Sequence, residues 1–208
     1  MAQTRRAYIC AGDMDFPAVR EALQSDYRTT IEAFHAFVDD RPEEEKWELI
    51  DGEIVLNPTP TDRHQVIVGR LVHELYNACD RVGGNWQISP GIGVRLPDDA
   101  HSEPVPDVMI RPRLSEPTNW TFEALVPFEV LSPYSLRRDM VRKRGFYTRI
   151  ESLTHYIVLA QDRMEATVFA RSQDFEPSVI NGATAKIEIE PLGFSPLLAD
   201  IYRDVPLD

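Results

Sequence analysis

The chain has 208 residues, of which 43% are hydrophobic and 27% charged, a balance typical of globular proteins. This composition excludes a disordered, collagen-like or coiled-coil protein, and a chain of this length buries an adequate core without disulfide staples. The net charge of −12 argues against a protein whose whole surface coats nucleic acid or an anionic membrane, whereas a local basic patch is compatible with it.

The cysteine content and the N-terminus indicate a cytoplasmic protein. Cys10 and Cys79 are too few for a disulfide framework. One disulfide between them is conceivable, but two thiols in a reducing compartment are favoured. No apolar run follows the N-terminal residues as in a signal peptide, and no stretch is long enough to cross a bilayer. We therefore expect a cytoplasmic location and no membrane contact.

The first half of the chain predicts an arm, a helix, a hairpin and a long helix. Residues 1–28 show no regular period and are expected to form an arm of undefined structure. A short helix, capped by Thr29 or Thr30, follows, and Asp51-Gly52 between two apolar runs is a hairpin turn signal. The strongest helical pattern in the chain covers residues 64–79 and ends at two glycines.

The second half alternates strands and helices. Strands are predicted at 86–96, 105–110, 125–131, 155–159, 166–170 and 186–190, and helices at 135–150 and near 197–202. This order predicts one α/β (α+β) domain over residues 29–208, with a mixed β-sheet flanked by helices and an N-terminal hairpin extension. Walker, dinucleotide, zinc-protease and serine-hydrolase signatures are absent from it.

Two acidic residues occur where the pattern is otherwise apolar. Asp107 lies in Val105–Ile110 and Glu129 lies in Leu125–Leu131, on successive predicted strands. A carboxylate buried in a strand costs several kcal/mol unless it is paired or binds a metal ion. Two carboxylates that converge at a sheet end form a hard-oxygen site suited to Mg²⁺ or Mn²⁺.

The segment that follows carries the only concentrated positive charge. Between Pro133 and Ile150 it has six basic residues and one acid, a local net charge of +5; the basic residues are Arg137, Arg138, Arg142, Lys143, Arg144 and Arg149. Acids for a metal ion, followed by a basic helix, suit metal-assisted hydrolysis of a phosphodiester bond. Arg137, Arg138 and Arg142 are therefore the phosphate-binding candidates.

Several motifs taken together carry a family resemblance. In chain order they are Glu48-Leu-Ile-Asp-Gly-Glu53, His64, Pro106-Asp107-Val108, Glu129-Val-Leu-Ser-Pro133, Asp139, Lys143 and Tyr147. This order resembles the Uma-type restriction endonuclease family of the PD-(D/E)XK nuclease superfamily, over roughly residues 29–202. The resemblance implies a restriction-endonuclease-like core in which Asp107 and Glu129 bind a divalent metal ion. It also gives Glu53, His64 and Asp139 possible accessory roles.

Two departures from the family pattern concern this site. The superfamily places a lysine two residues beyond the glutamate, where this chain has Leu131. The Uma-type pattern places it on the next helix, and Lys143 matches that position. The family also has an acid at the position of Ala160, and this chain therefore lacks that acid.

Each candidate residue also has a structural interpretation. Asp107 follows a proline and could be a turn residue bonded to main-chain amides, and Glu129 could pair with an arginine of the next helix. Lys143 could form an exposed i,i+4 pair with Asp139. His64, at a helix start, is more often a capping or packing residue than a ligand.

Two functional hypotheses follow. The first is a Mg²⁺- or Mn²⁺-dependent endonuclease that hydrolyses phosphodiester bonds of nucleic acid, with DNA as the expected substrate. Asp107, Glu129 and the backbone carbonyl of Val130 would bind the ion, Lys143 would assist the attacking water, and two chains would pair as a homodimer. The alternative is a catalytically silent nuclease fold that acts as a binding or regulatory module, which the acidic net charge favours.

Overall fold

The computed structural model describes residues 28–42, 44–132 and 136–207, with side chains from residue 140 onward in the last range. The arm predicted for residues 1–28 therefore lies, except for Arg28, outside the described residues. Contacts group the described residues into two compact units. We call the described residues of Met1–Thr59 and Arg95–Val105 the hairpin unit, and those of Pro60–Val94 and Pro106–Asp208 the sheet unit.

The elements within the described residues are as follows. The α-helices are α1 Ile31–Val38, α2 Asp62–Val82, α3 Leu136–Tyr147 and α4 Leu198–Ile201, with 3₁₀ helices at Arg171–Gln173 and Glu190–Leu192. The strands are β1 Lys46–Ile50, β2 Glu53–Asn57, β3 Trp86–Ser89, β4 Gly93–Val94, β5 Val108–Pro112, β6 Trp120–Thr121, β7 Val126–Leu131, β8 His155–Ala160, β9 Glu165–Ala170 and β10 Pro177–Asn181. No helix in this described part of the chain has both the length and the hydropathy to span a membrane.

The hairpin unit follows the sequence prediction closely. Thr30 caps α1, and its hydroxyl accepts a hydrogen bond from the Ala33 amide at 3.3 Å. β1 and β2 pair antiparallel across a two-residue turn. Asp51 and Gly52 have φ angles of 53° and 80°, the left-handed backbone that such a turn requires at both positions.

The sheet unit contains a six-stranded mixed sheet in the order β10-β9-β8-β7-β5-β3. β7 and β8 are parallel and every other pair is antiparallel. A parallel pair needs a crossover, and α3 lies in the chain between β7 and β8. The predicted mixed sheet with flanking helices and an N-terminal hairpin is confirmed.

The two faces of this sheet receive different side chains. Phe128 and Val130 of β7 belong to the large apolar core, together with Ile67 and Leu71 of α2. Successive residues of a strand point to opposite faces, so Glu129 lies on the face away from that core. The strand therefore places a carboxylate on one face while its neighbours hold the sheet to α2.

Three strand predictions differ from the structure. The run predicted at 86–96 is two short strands, because Gly91 turns the chain with a φ of 65°. The run predicted at 105–110 begins only at Val108, so Asp107 precedes the strand instead of lying within it. The tail at 186–190 forms only isolated bridges, including the pair Lys186 and Leu197.

One strand has no counterpart in the sequence prediction. β10 pairs only with β9 at the sheet edge, and most of its residues are exposed. Because Ile180 is the one residue of β10 that packs against the core, the sequence of β10 shows no alternation of apolar and polar residues.

The capping residue of α2, Thr61, accepts two hydrogen bonds. Thr61 Oγ1 accepts the His64 amide at 3.2 Å and also accepts a hydrogen bond from Gln161 Nε2. Gln161 directly follows β8, and its main-chain N–H donates a hydrogen bond to Leu131 O at the end of β7. One hydroxyl thus joins the first turn of α2 to the ends of two parallel strands.

We expect Thr61→Ala to lower the free energy of unfolding by about 1–2 kcal/mol, because it removes a helix cap. Thr61→Ser keeps the hydroxyl and is the matched control. Urea denaturation of both variants measures the difference. Equal stability of the two variants would show that the hydroxyl does not stabilise the fold.

Candidate active site

The sheet register brings Asp107 and Glu129 to opposing positions. Val108 of β5 pairs with Phe128 of β7 in an antiparallel ladder. Continuing this register by one residue sets Asp107 opposite Glu129, and opposing residues of an antiparallel pair have their Cβ atoms about 5 Å apart. The two carboxylates thus start from neighbouring positions on the same face of the sheet.

Asp107 is anchored through one of its two oxygens. Its Oδ2 accepts the Val130 amide at 2.8 Å and lies 3.2 Å from His64 Nε2. Its Oδ1 takes part in neither contact, and the side chain is 24% exposed. The main-chain interpretation of Asp107 is therefore correct for Oδ2, while the side chain as a whole keeps partial access to solvent.

The surroundings of Asp107 favour its ionised form. Burial by itself would raise the pKa of this carboxyl, but the hydrogen bond and charge of His64, the Val130 amide and the charge of Lys143 together hold the pKa below its usual range. The resulting stabilisation is complete above the unfolded-state pKa of about 3.9 and is lost as pH falls through the folded-state pKa. At neutral pH Asp107 is a carboxylate.

Glu129 is held by two donors from α3. Its Oε1 accepts Lys143 Nζ at 2.7 Å and the Tyr147 hydroxyl at 3.3 Å. The side chains of Glu129 and Lys143 are only 3% and 1% exposed, which makes them a buried ion pair. Glu129 thus pairs with Lys143, and Lys143 is not the exposed helix residue that its spacing from Asp139 also allowed.

Aromatic packing fixes the end of α3 that carries Tyr147. The ring of Tyr147 lies 5.0 Å from that of Tyr156 on β8, and Tyr156 stacks on Phe169 of β9 at 5.5 Å. Lys143 and Tyr147 are one helical turn apart, so both point to the same side of α3. The helix therefore presents a charged and a neutral donor to the same carboxylate.

The donor set is compatible with a hard divalent cation. Among the described residues, no three His, Cys, Asp or Glu side chains gather around one point, so two carboxylates and main-chain oxygen are the available ligands. Carboxylate and carbonyl oxygens are what Mg²⁺ and Mn²⁺ bind. Asp107 and Glu129 carry two negative charges, and His64 and Lys143 are the basic side chains in contact with them. The two carboxylates are thus the groups that would hold a divalent cation.

The other predicted site residues lie in different parts of the structure. His64 lies beside Asp107, whereas Glu53 is the first residue of β2 and belongs to the hairpin unit. The side chains of Arg137, Arg138 and Asp139 are outside the described part of α3. Arg142 is half-buried. Ala160 is buried at the end of β8 opposite Leu131, so neither the superfamily lysine nor the family acid has a counterpart there.

Sequence reasoning assigned no role to Arg111, a buried cation near this site. It is 4% exposed, and its Nε donates to Ser89 Oγ at 2.9 Å. Burial lowers its pKa, and no carboxylate of the described residues pairs with it. Arg111 is four residues beyond Asp107, so the two share a sheet face. Its position directly after the apolar run Val108–Ile110 was the available sequence signal.

Comparison with known proteins places this chain in a family. The family model described as Uma2, putative restriction endonuclease, matches residues 31–199. A crystal structure of a putative nuclease belonging to DUF820 from Anabaena variabilis ATCC 29413 aligns with a TM-score of 0.65 at 17% sequence identity, covering 83% of this chain and 97% of that one. No curated protein matches the chain. The fold agrees with that nuclease, and the family match spans most of the sequence; the chain belongs to the Uma2 putative restriction endonuclease family.

Proposed function

We propose that this protein is a divalent-metal-dependent endonuclease that hydrolyses phosphodiester bonds, with DNA as its substrate. The observation that carries the proposal is that Asp107 and Glu129 occupy opposing positions where the neighbouring interior strands β5 and β7 meet, with the Lys143 ammonium 2.7 Å from Glu129. Membership of a restriction endonuclease family supports the same chemistry.

The carboxylates are the proposed ligands for Mg²⁺ or Mn²⁺. Asp107 offers Oδ1, because Oδ2 is held by the Val130 amide and His64. Glu129 and the backbone carbonyl of Val130 complete the proposed set. A divalent cation bound there supplies Lewis acidity toward a phosphate oxygen and lowers the pKa of water. His64 serves to orient Asp107, with Glu53 and Asp139 as accessory candidates.

Lys143 is the proposed group that acts on the reacting atoms. Its ammonium orients the attacking water and offsets the negative charge that develops on the phosphate in the transition state. A lysine suits this task because it presents a compact charge on a flexible stem. Leu131, at the usual position of the superfamily lysine, lacks any polar atom in its side chain.

The helix that carries Lys143 provides the proposed phosphate-binding surface. Arg137, Arg138 and Arg142 would neutralise backbone phosphates beside the cleavage point, in a chain whose net charge is otherwise strongly negative. One site per chain cuts one strand at a time, so a homodimer is the proposed assembly for cleavage of a duplex.

A second candidate function is a silent nuclease fold that acts as a binding or regulatory module. Two observations favour it: the net charge of −12 and the burial of the Glu129–Lys143 pair at 3% and 1% exposure. A buried ion pair also stabilises structure by mutual compensation, without any reaction.

We expect Asp107→Asn and Glu129→Gln each to lower Mg²⁺- or Mn²⁺-dependent cleavage by at least about a hundredfold, because each removes an anionic ligand. Plasmid, single-stranded DNA and RNA are incubated with metal ion or chelator. Asp162→Asn, which changes a partly buried acid paired with Arg163, is the matched control and should cleave as the wild type does. Undiminished cleavage by both site variants would exclude this site, and no cleavage by the wild type would favour the silent module.

We expect Lys143→Met to lower the free energy of unfolding by about 3–5 kcal/mol, because it leaves a buried carboxylate without its partner. Lys186→Met removes an exposed lysine and should change stability by less than about 0.5 kcal/mol. Chemical denaturation measures both. A Lys143→Met variant as stable as the wild type would mean that the ion pair does not neutralise Glu129 in solution.

We expect combined replacement of Arg137, Arg138 and Arg142 by glutamine to reduce the salt dependence of DNA binding. Each lost phosphate contact lowers the slope of log affinity against log salt by about 0.9. Fluorescence anisotropy with a labelled duplex at several salt concentrations gives the slope. Arg163→Gln, beside Asp162 and Glu165, is the control. An unchanged slope in the triple variant would remove α3 from the phosphate-binding surface.

A further inference from the structure

We propose that Tyr147 is the positioning residue that holds Glu129 in its metal-binding orientation while Lys143 leaves that carboxylate. The inference rests on the proposed function, since it concerns what happens to Glu129 when a divalent cation binds. Its starting point is that one oxygen of Glu129 accepts two donors of different charge, the Lys143 ammonium at 2.7 Å and the Tyr147 hydroxyl at 3.3 Å.

A divalent cation affects the two donors differently. An ammonium a few ångströms from a dication is repelled, strongly so at a site with little water. A hydroxyl is neutral and feels no such repulsion. Cation binding therefore weakens the Lys143–Glu129 contact and leaves the Tyr147–Glu129 contact in place. Lys143 then becomes available to water and phosphate, which its proposed role requires.

Tyr147 is also the more rigid of the two. Its side chain is completely buried, and its ring packs against Phe146 at 5.7 Å and Tyr156 at 5.0 Å. A tyrosine has two side-chain torsions, whereas a lysine has a flexible four-carbon stem. The hydroxyl thus occupies a fixed point from which it orients Glu129. By holding Oε1, it also fixes the orientation of the second carboxylate oxygen.

Tyr202 provides a matched control for this hydroxyl. It is 2% exposed, and its hydroxyl donates to two main-chain carbonyls, Ala160 O at 2.6 Å and Glu165 O at 3.0 Å. Tyr202→Phe therefore removes one buried hydroxyl and its hydrogen bonds, as Tyr147→Phe does, but touches neither Glu129 nor Lys143. A purely structural role for Tyr147 would make the two variants behave alike.

The test measures Mn²⁺ binding by calorimetry in the wild type, Tyr147→Phe, Tyr202→Phe and Asp107→Asn, after circular dichroism has shown native folding. We expect Tyr147→Phe to raise the Kd for Mn²⁺ about tenfold, the effect of losing one hydrogen bond to a charged group. Tyr202→Phe should bind within about twofold of the wild type. In cleavage assays, the rate of Tyr147→Phe relative to the wild type should be reduced strongly at limiting Mn²⁺ and less at saturating Mn²⁺.

The outcomes separate this inference from the function it rests on. If the wild type binds Mn²⁺, Asp107→Asn does not, and Tyr147→Phe binds as tightly as the wild type, the positioning role is wrong and the metal site stands. If Tyr147→Phe and Tyr202→Phe weaken binding equally, the effect is structural and the role is again wrong. If the wild type itself binds no Mn²⁺, the proposed function fails and the inference fails with it.

Discussion

Asp107 and Glu129 lie side by side at two neighbouring interior strands, and their carboxylates create a negative potential that the protein must compensate. Asp107 is compensated by the Val130 amide and His64, and Glu129 by a lysine and a tyrosine of α3. Without these partners, burial of the charges would cost several kcal/mol each. Donors from β7, α2 and α3 therefore offset the two carboxylate charges.

The topology explains how these donors reach the same place. The parallel pairing of β7 and β8 requires a crossover, and α3, which lies between them in the chain, brings its donors onto Glu129. On the opposite face the apolar side chains of β7 pack with α2, whose first turn supplies His64. The helix cap at Thr61, bonded also to Gln161, ties that turn to the strand ends. Glu129, Lys143 and His64 thus lie on regular elements, and Asp107 directly precedes one.

Sequence patterns predicted most of the fold because most elements bury one face. α2 and the hairpin showed strong periodicity or turn chemistry, and both are present with nearly the predicted bounds. β10 lacked a signal because it lies exposed at an edge, and Asp107 was placed inside a strand because Pro106 does not reveal where pairing begins. The grouping of Asp107, Glu129 and Lys143 came from charges in apolar runs and from family resemblance. The contacts of Arg111, Tyr147 and Gln161 depend on tertiary register, which spacing alone does not encode.

The buried pair of Glu129 and Lys143 has a consequence for how such a sequence can change over generations. Loss of either partner removes the direct ion pair from the other buried charge, so a single substitution harms folding before it matters for any reaction. Neutral drift is therefore hindered at these two positions. Descendants that lack the pair are expected to have replaced both residues together, with two apolar residues of similar volume in their place.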